Sequence, residues 1–242
     1  MNIQGKNVLV TGSTRGIGRA LVEAALARGA ARVYATARNR AALESSELRR
    51  DARVVPLELD ITSPEQAQRA AQLAKDVDVL INNAGVLASF GVLSGTAADV
   101  QRDLDTNFFG LLHLARAFAP VLAERKEAAL VSVLSVASLA SMPALGGYSS
   151  SKAAAWSLTQ ALRAELGKRG VKTFAVFPGP VDTDMIRSFE LPKTAPALVA
   201  RAILDGVEAS VLDIFPDPMS REVGALFAKD PMAVERQFAT PM

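Results

Sequence analysis

Short aliphatic and β-branched runs alternate with longer stretches of helical spacing through most of this chain. Asn7–Val10, Arg32–Thr36, Arg53–Leu59, Val77–Ile81, Leu130–Leu134 and Thr173–Phe177 are predicted as strands. Several are apolar on both faces, as a parallel sheet covered by helices requires. Between them, Gly16–Arg28, Arg40–Arg49, Pro64–Ala74, Asp99–Glu124 and Tyr148–Lys168 carry helical periodicity. Pro64 follows Thr62 and Ser63, a cap-then-proline helix start, and Gly29 and Gly170 stand where helices should end. Six strands alternating with helices predict an α/β fold, a doubly wound parallel sheet with right-handed crossovers. From about Gly179 the alternation weakens, and Pro192, Pro196, Pro216, Pro218, Pro231 and Pro241 punctuate short segments. Such a loss of pattern after a strand end fits a loop covering a substrate, and fits surface decoration as well.

Composition narrows the picture. Half of the 242 residues are hydrophobic, enough for a compact core and too many for a disordered chain. A net charge of +2 with mixed signs gives no reason to expect nucleic acid. With no cysteine, disulfides, thiol nucleophiles and Cys-bound metal are excluded, and the single His113 rules out a multi-histidine metal site. Met1–Lys6 leads straight into a strand without the apolar core of a secretory signal, so a cytoplasmic location is expected. Ala128–Ser151 runs without a charge, but its seven serines, Pro143 and the Gly146–Gly147 pair suit a buried strand and loop better than a membrane span. No membrane partner is expected.

The first strand empties into Thr11-Gly12-Ser13-Thr14-Arg15-Gly16-Ile17-Gly18 and then a helix. Glycines there let the backbone turn sharply and approach a pyrophosphate, whose charge is favoured at a helix N-terminus. Glycines also serve many turns for conformational reasons alone; the position after the first strand of a βαβ unit points to a dinucleotide. At the end of the second strand, Val33-Tyr34-Ala35-Thr36-Ala37-Arg38 offers no carboxylate for ribose hydroxyls and ends in an arginine. Arg38 can pair with a 2′-phosphate, and Arg15 could reach the same group. Two charged hydrogen bonds would favour NADP over NAD by on the order of a hundredfold. Either arginine alone reads equally well as exposed surface; together they make NADP(H) the expected cofactor.

Tyr148 and Lys152 share a helix face at i and i+4 and can point into one pocket. Reduction of a ketone develops an alkoxide that needs a proton donor and hydrogen bonds. A tyrosine supplies both, but lowering its pKa from about 10 to about 7 takes roughly 4 kcal/mol. Lys152 is the cation in reach. Ser135, at the end of the fifth strand, can polarise the same oxygen. Taken alone, a tyrosine four residues before a lysine also arises by accident in amphipathic helices. Asn82-Asn83-Ala84-Gly85 ends a buried strand at the sheet's carboxyl edge, where ligands bind in open α/β folds. Asn107 precedes an apolar helix and reads equally as a cap. His113 and Trp156 read as packing or surface residues.

These separated motifs, in this order, resemble the single-domain short-chain dehydrogenase/reductase family. The resemblance covers roughly residues 5–185. It implies a Rossmann-type sheet, with Ser135, Tyr148 and Lys152 as catalytic group and Tyr148 as proton donor. It implies that Gly12, Thr14, Arg15, Gly16, Ile17, Gly18 and Arg38 bind the phosphates. Asp60 and Ile61 would lie against the adenine, and Asn82, Ala84 and Gly85 would border the cofactor. Asn107 would hold, through its backbone, a water linked to Lys152. Pro178, Gly179, Val181 and Thr183 would face the nicotinamide, with Tyr148 and Lys152 also touching the cofactor.

No linker or repeat divides 1–242, so a single domain is expected. Its cofactor half spans about 1–130, its catalytic and substrate half about 131–215, and an atypical tail about 216–242. The glycine-rich ending that many relatives carry on the last strand is missing near Val211–Phe215. Interfaces built on that end in relatives do not carry over, so a homo-oligomer is expected as dimer or tetramer, with a dimer through Asp99–Glu124 and Tyr148–Lys168 favoured. Val223, Leu226 and Phe227 have helical spacing and could dock on the body or on a second subunit. The expected activity is NADP(H)-dependent interconversion of a ketone or aldehyde with an alcohol, the small-molecule partner being that substrate. A non-catalytic NADP(H)-binding sensor and an enzyme working mainly as an alcohol dehydrogenase stay open as alternatives.

Overall fold

The computed structural model describes residues 1–44, 46–88 and 90–239. Among these, seven parallel strands form one sheet in the order β3-β2-β1-β4-β5-β6-β7. They are β1 (Asn7–Val10), β2 (Arg32–Ala37), β3 (Val54–Glu58), β4 (Val79–Asn82), β5 (Ala128–Val133), β6 (Val171–Val176) and β7 (Asp213–Ile214). The order reverses direction between β1 and β4, which opens a crevice at the carboxyl ends of those strands. Register puts Val10 beside Ala35 on one side and beside Ile81 on the other.

Side-chain alternation sends Val8 and Val10 to one face and Leu9 to the other. On the first face, α1 (Gly16–Ala27) and α7 (Pro196–Glu208) bury Leu21, Val22, Val199, Ile203 and Val207. On the second, α3 (Pro64–Leu73), α5 (Gly110–Ala123) and α6 (Gly146–Gly167) bury Ala67, Leu114, Phe118 and Leu166 against Leu80 and Leu130. All residues of β4 and β5 are buried, which is why their sequence shows no alternation. Gly29 at φ +78° and Gly170 at φ +76° take the left-handed turns that end α1 and α6. The Ser63 hydroxyl accepts from the Gln66 N–H at 3.2 Å, with Pro64 at the first position of α3. The uncharged stretch 128–151 becomes β5, two short 3₁₀ turns and the head of α6. Among the described residues no helix is long and apolar enough to cross a membrane.

Two helical expectations change. The segment predicted as Arg40–Arg49 divides into α2 (Arg40–Glu44) and a 3₁₀ turn at Glu47–Arg50, with Ser45 outside the described residues. The helix predicted over Asp99–Glu124 starts earlier, where the Thr96 hydroxyl accepts from the Asp99 N–H at 3.1 Å. It is also interrupted: α4 (Ala97–Leu104) meets α5 through a π turn at Asp105–Phe109. Such turns insert an extra residue to re-aim side chains, often at functional sites.

The C-terminal region is far more regular than its sequence pattern suggests. Pro196, Pro218 and Pro231 each open a helix: α7, α8 (Pro218–Lys229) and α9 (Pro231–Ala239). Proline fits that first position because its missing N–H has no intrahelical partner there. Residues that look like punctuation are therefore helix starts. A seventh strand beyond the six expected forms at Asp213–Ile214, leaving Val211 and Leu212 exposed before it. The tail docks on the body: Val223 is buried, and the Phe227 ring meets Trp156 edge-on at 5.8 Å. Phe177 lies beneath the same Trp156 at 5.5 Å.

Candidate active site

The turn after β1 is built for a close approach. Gly12 and Gly16 have φ of +68° and +56°. A Cβ on Gly18 would lie 2.0 Å from the Gly12 carbonyl oxygen. The buried Thr11 hydroxyl accepts from the Asn83 and Ala84 N–H groups, both at 2.9 Å, and so locks this turn to the end of β4. Asn83 returns the contact, donating from Nδ2 to the Thr11 carbonyl at 2.8 Å. Helix α1 begins here with no side-chain cap and no acid in its first turn. Its positive end is thus open to an anion. The chain's own residues fit a dinucleotide pyrophosphate: a cradle too tight for a side chain, at an uncapped helix N-terminus.

That cradle forms one end of a cleft of about 380 Å³. Thr14, Arg15, Ile17, Arg38, Asp60, Ile61, Ala84 and Gly85 line it, as do Pro178, Gly179, Val181 and Thr183. Among the described residues no carboxylate pairs with the exposed Arg38. Arg15 is engaged differently from the sequence expectation: it reaches across the mouth to Asp184 at 3.0 Å. With that side chain 75% exposed, the pair is a weak surface contact. Asp60 accepts from the Thr62 N–H and hydroxyl at 2.9 and 2.7 Å. Ile61 packs on Gly110, where a Cβ would come within 2.6 Å of it. Asn82 does not line the cleft. It is 6% exposed, buried within the sheet's second face, and its neighbour Asn83 lines the cleft instead. Asn83 lies just past the end of β4, where its hydrogen bonds to Thr11 turn it to the glycine cradle.

Ser135, Tyr148 and Lys152 line the other end of the same cleft. Ser135 lies two residues beyond β5 and caps the 3₁₀ turn Val136–Ser138, its hydroxyl accepting from the Ala137 N–H at 3.1 Å. Tyr148 and Lys152 sit one turn apart on α6 and are both buried. Lys152 donates from Nζ to the Val133 carbonyl at 3.0 Å and lies 5.9 Å from the centre of the Tyr148 ring. Burial pushes the Tyr148 phenol up to about 12; the Ser135 hydroxyl bonded to it acts the other way, and the Asp103 carboxylate adds to the rise. Burial brings Lys152 down to about 8, opposed by Asp103. The expectation of a phenol lowered towards neutrality by Lys152 is therefore reversed in the protein alone. Desolvation dominates the shift, and the Lys152 ammonium is turned to a backbone carbonyl.

Asn107 backs the cleft from the π turn without lining it. Its Nδ2 donates to the Val86 carbonyl at 3.0 Å and to Ser151 Oγ at 2.9 Å, and its Oδ1 accepts from the Val86 N–H at 3.0 Å. A Cβ on Gly85 would lie 3.0 Å from that Oδ1 and 3.4 Å from Lys152 Nζ. Only a glycine lets β4's continuation, Asn107 and Lys152 converge.

A family model described as short chain dehydrogenase matches residues 6–193, most of the chain. The chain belongs to the short-chain dehydrogenase/reductase family. It is 36% identical over 198 residues to the short chain dehydrogenase pigC of Monascus ruber, covering 76% of this chain and 65% of that protein. It is 32% identical over 238 residues to the D-erythrulose reductase of Gallus gallus, covering 95% and 96% of the two chains. A short chain dehydrogenase from Burkholderia cenocepacia, solved in complex with NADP, superposes with a TM-score of 0.93 at 38% identity over the whole of both chains. A short chain dehydrogenase/reductase from Burkholderia phymatum, solved in complex with NAD, gives 0.86 at 26%, covering 100% of this chain and 98% of that one.

Four residues of this short-chain dehydrogenase/reductase escape a reading by motif. Asn83 lies inside a motif whose neighbours attract more notice. Asp103 is fully buried on α4 and accepts from the Ala88 N–H at 2.8 Å; in the sequence it is one charge among several on a helix. Asp217 is 1% exposed and bonds to the Gly179 N–H, and Met219 lines the cleft two residues later. The signal for the last pair is present as Asp217-Pro218 with Ser220 completing a reciprocal cap.

Proposed function

We propose that this protein is an NADP(H)-dependent oxidoreductase that interconverts a ketone or aldehyde and an alcohol. The observation that carries the reading is the shared cleft, with a glycine cradle at one end and Ser135, Tyr148 and Lys152 at the other. Bound NADP(H) supplies the hydride in reduction and accepts it in oxidation. Tyr148, with its pKa near 12, stays protonated at ordinary pH and gives its proton to the carbonyl oxygen as that atom gains charge. Ser135 donates a hydrogen bond to the same oxygen. Lys152 holds positive charge beside the phenol, and Asn107 and Val86 brace the wall behind it.

In this reading Gly12, Thr14, Gly16, Ile17 and Gly18 hold the pyrophosphate. Asp60 and Ile61 face the adenine, and Ala84 and Gly85 border the sugar next to Lys152. Pro178, Gly179, Val181 and Thr183 form the nicotinamide end. The choice of NADP rests on Arg38 at the tip of β2, which pairs with no carboxylate among the described residues, seconded by Arg15 if it leaves Asp184, and on the NADP complex of the Burkholderia cenocepacia neighbour. A dimer through Asp99–Glu124 and Tyr148–Lys168, the segments that hold α4, α5 and α6, is part of the proposal, supported by the exposed small residues Ala153, Ser157 and Ala161 on α6; light scattering of the purified chain tests it.

The deciding experiment is Tyr148→Phe. Turnover of any carbonyl substrate should fall by about a thousandfold or more while NADPH affinity holds. Near-native turnover in that variant would remove the proton donor and the mechanism with it.

A further inference from the structure

Beyond Ser135 and Tyr148, the wall of the cleft is assembled from three segments. Met142 and Leu145 come from the turn ahead of α6, and Met185, Ile186 and Phe189 come from the segment that follows β6. Met219 comes from the first turn of α8. Every one of these side chains is apolar.

Polar groups are scarce at this end. Thr183 and Asp184 stand at its edge, and Asp184 is already paired with both Arg15 and Arg187. The other charged residues of the lining, besides Lys152, are Arg38 and Asp60, which follow β2 and β3. In the sheet order those strands stand three and four places from β5, which leads to Ser135. At the usual strand spacing that is about 14 and 19 Å away, out of reach of a small substrate.

Met185 is 45% exposed, an apolar surface that a bound molecule would cover. Three of the six methionines in the sequence gather here. Their unbranched, polarisable side chains adapt to irregular apolar shapes and favour contact with rings.

Resting on the carbonyl-reductase reading above, we propose that this pocket takes bulky, uncharged, apolar ketones and turns away polyhydroxylated and acidic ones. A hydroxyl entering the methionine-lined wall loses its water without gaining a partner. Each such mismatch lowers kcat/KM by roughly tenfold to a hundredfold. A carboxylate fares worse, because it would lose its water at an apolar wall edged by the like-charged Asp184, and the one cation of the lining at this end, Lys152, is turned to the Val133 carbonyl.

The test compares NADPH consumption by the full chain with three substrates: an aryl or cycloalkyl ketone, D-erythrulose, and a 2-keto acid. The kcat/KM for the apolar ketone should exceed that for the other two by at least about a hundredfold. Phe189→Ser should raise its KM by about tenfold and leave the KM for NADPH unchanged. Equal or better turnover of D-erythrulose or the keto acid overturns the substrate class and leaves carbonyl reduction standing. No turnover of any of the three, with NADPH binding intact by its fluorescence, overturns both. An unchanged KM in the Phe189 variant overturns the assignment of this wall.

Discussion

The carboxylate of Asp217 accepts a hydrogen bond from the backbone N–H of Gly179 at 2.8 Å. Its other oxygen accepts from the Ser220 N–H, also at 2.8 Å, so one buried side chain both caps α8 and pins the turn after β6. A Cβ on Gly179 would lie 2.8 Å from the same carboxylate. The C-terminal tail is thereby part of the wall of the cleft. Asp217→Ala leaves two N–H groups without their acceptor and should lower stability by about 2–3 kcal/mol. For a chain of this size that is a fall in Tm of roughly 5–10 °C. Calorimetry reads the stability, and a rise in the KM for NADPH reads the loosened turn. Asp217→Asn keeps an acceptor oxygen and should recover part of both.

The two buried groups of the site predict a particular dependence of stability on pH. Lys152 falls from 10.5 in the unfolded chain to about 8 in the folded one. Between those values the unfolded state binds more protons, so stability rises with pH. Tyr148 moves the other way, from 10.0 to about 12, and removes stability above about pH 10. Lys152→Met should therefore abolish a gain of about 2 kcal/mol between about pH 7.5 and about pH 9.5. Urea unfolding of both proteins at the two pH values measures it; equal slopes would mean that the ammonium is not desolvated.

Asp103 acts electrostatically on the two groups proposed to react. Its charge raises both Tyr148 and Lys152, and its oxygen holds the Ala88 N–H at 2.8 Å. Asp103→Asn can keep that hydrogen bond while losing the charge. If the proposed reduction needs a charged Lys152, its rate should fall as that group discharges near pH 8, and in Asp103→Asn the fall should move to lower pH with little change in Tm. A Tm loss with an unmoved profile would make the residue purely structural.

Arg38→Asp places a carboxylate where a 2′-phosphate is expected. The ratio of kcat/KM for NADPH over NADH should fall by roughly tenfold to a hundredfold, the worth of one charged hydrogen bond. Unchanged selectivity would take the phosphate away from this arginine.

The period of apolar residues determined where strands β1 to β6 and helices α1, α3 and α6 lie, because backbone geometry repeats every two or 3.6 residues. The glycine turn and the Ser135, Tyr148 and Lys152 spacing were legible for the same local reason: a tight φ or one shared helix face shows within a few residues. What depended on packing did not show. Neither the π turn that aims Asn107 nor the choice of Asn83 over Asn82 follows from local propensity, since each is settled by which face meets the cleft. The Arg15–Asp184 contact spans 169 residues and the Asp217–Gly179 contact 38, distances that no periodicity crosses. The pKa of Tyr148 went against the expectation built on Lys152 alone. Sequence spacing shows which charges can be neighbours, whereas the water excluded around them belongs to the folded interior.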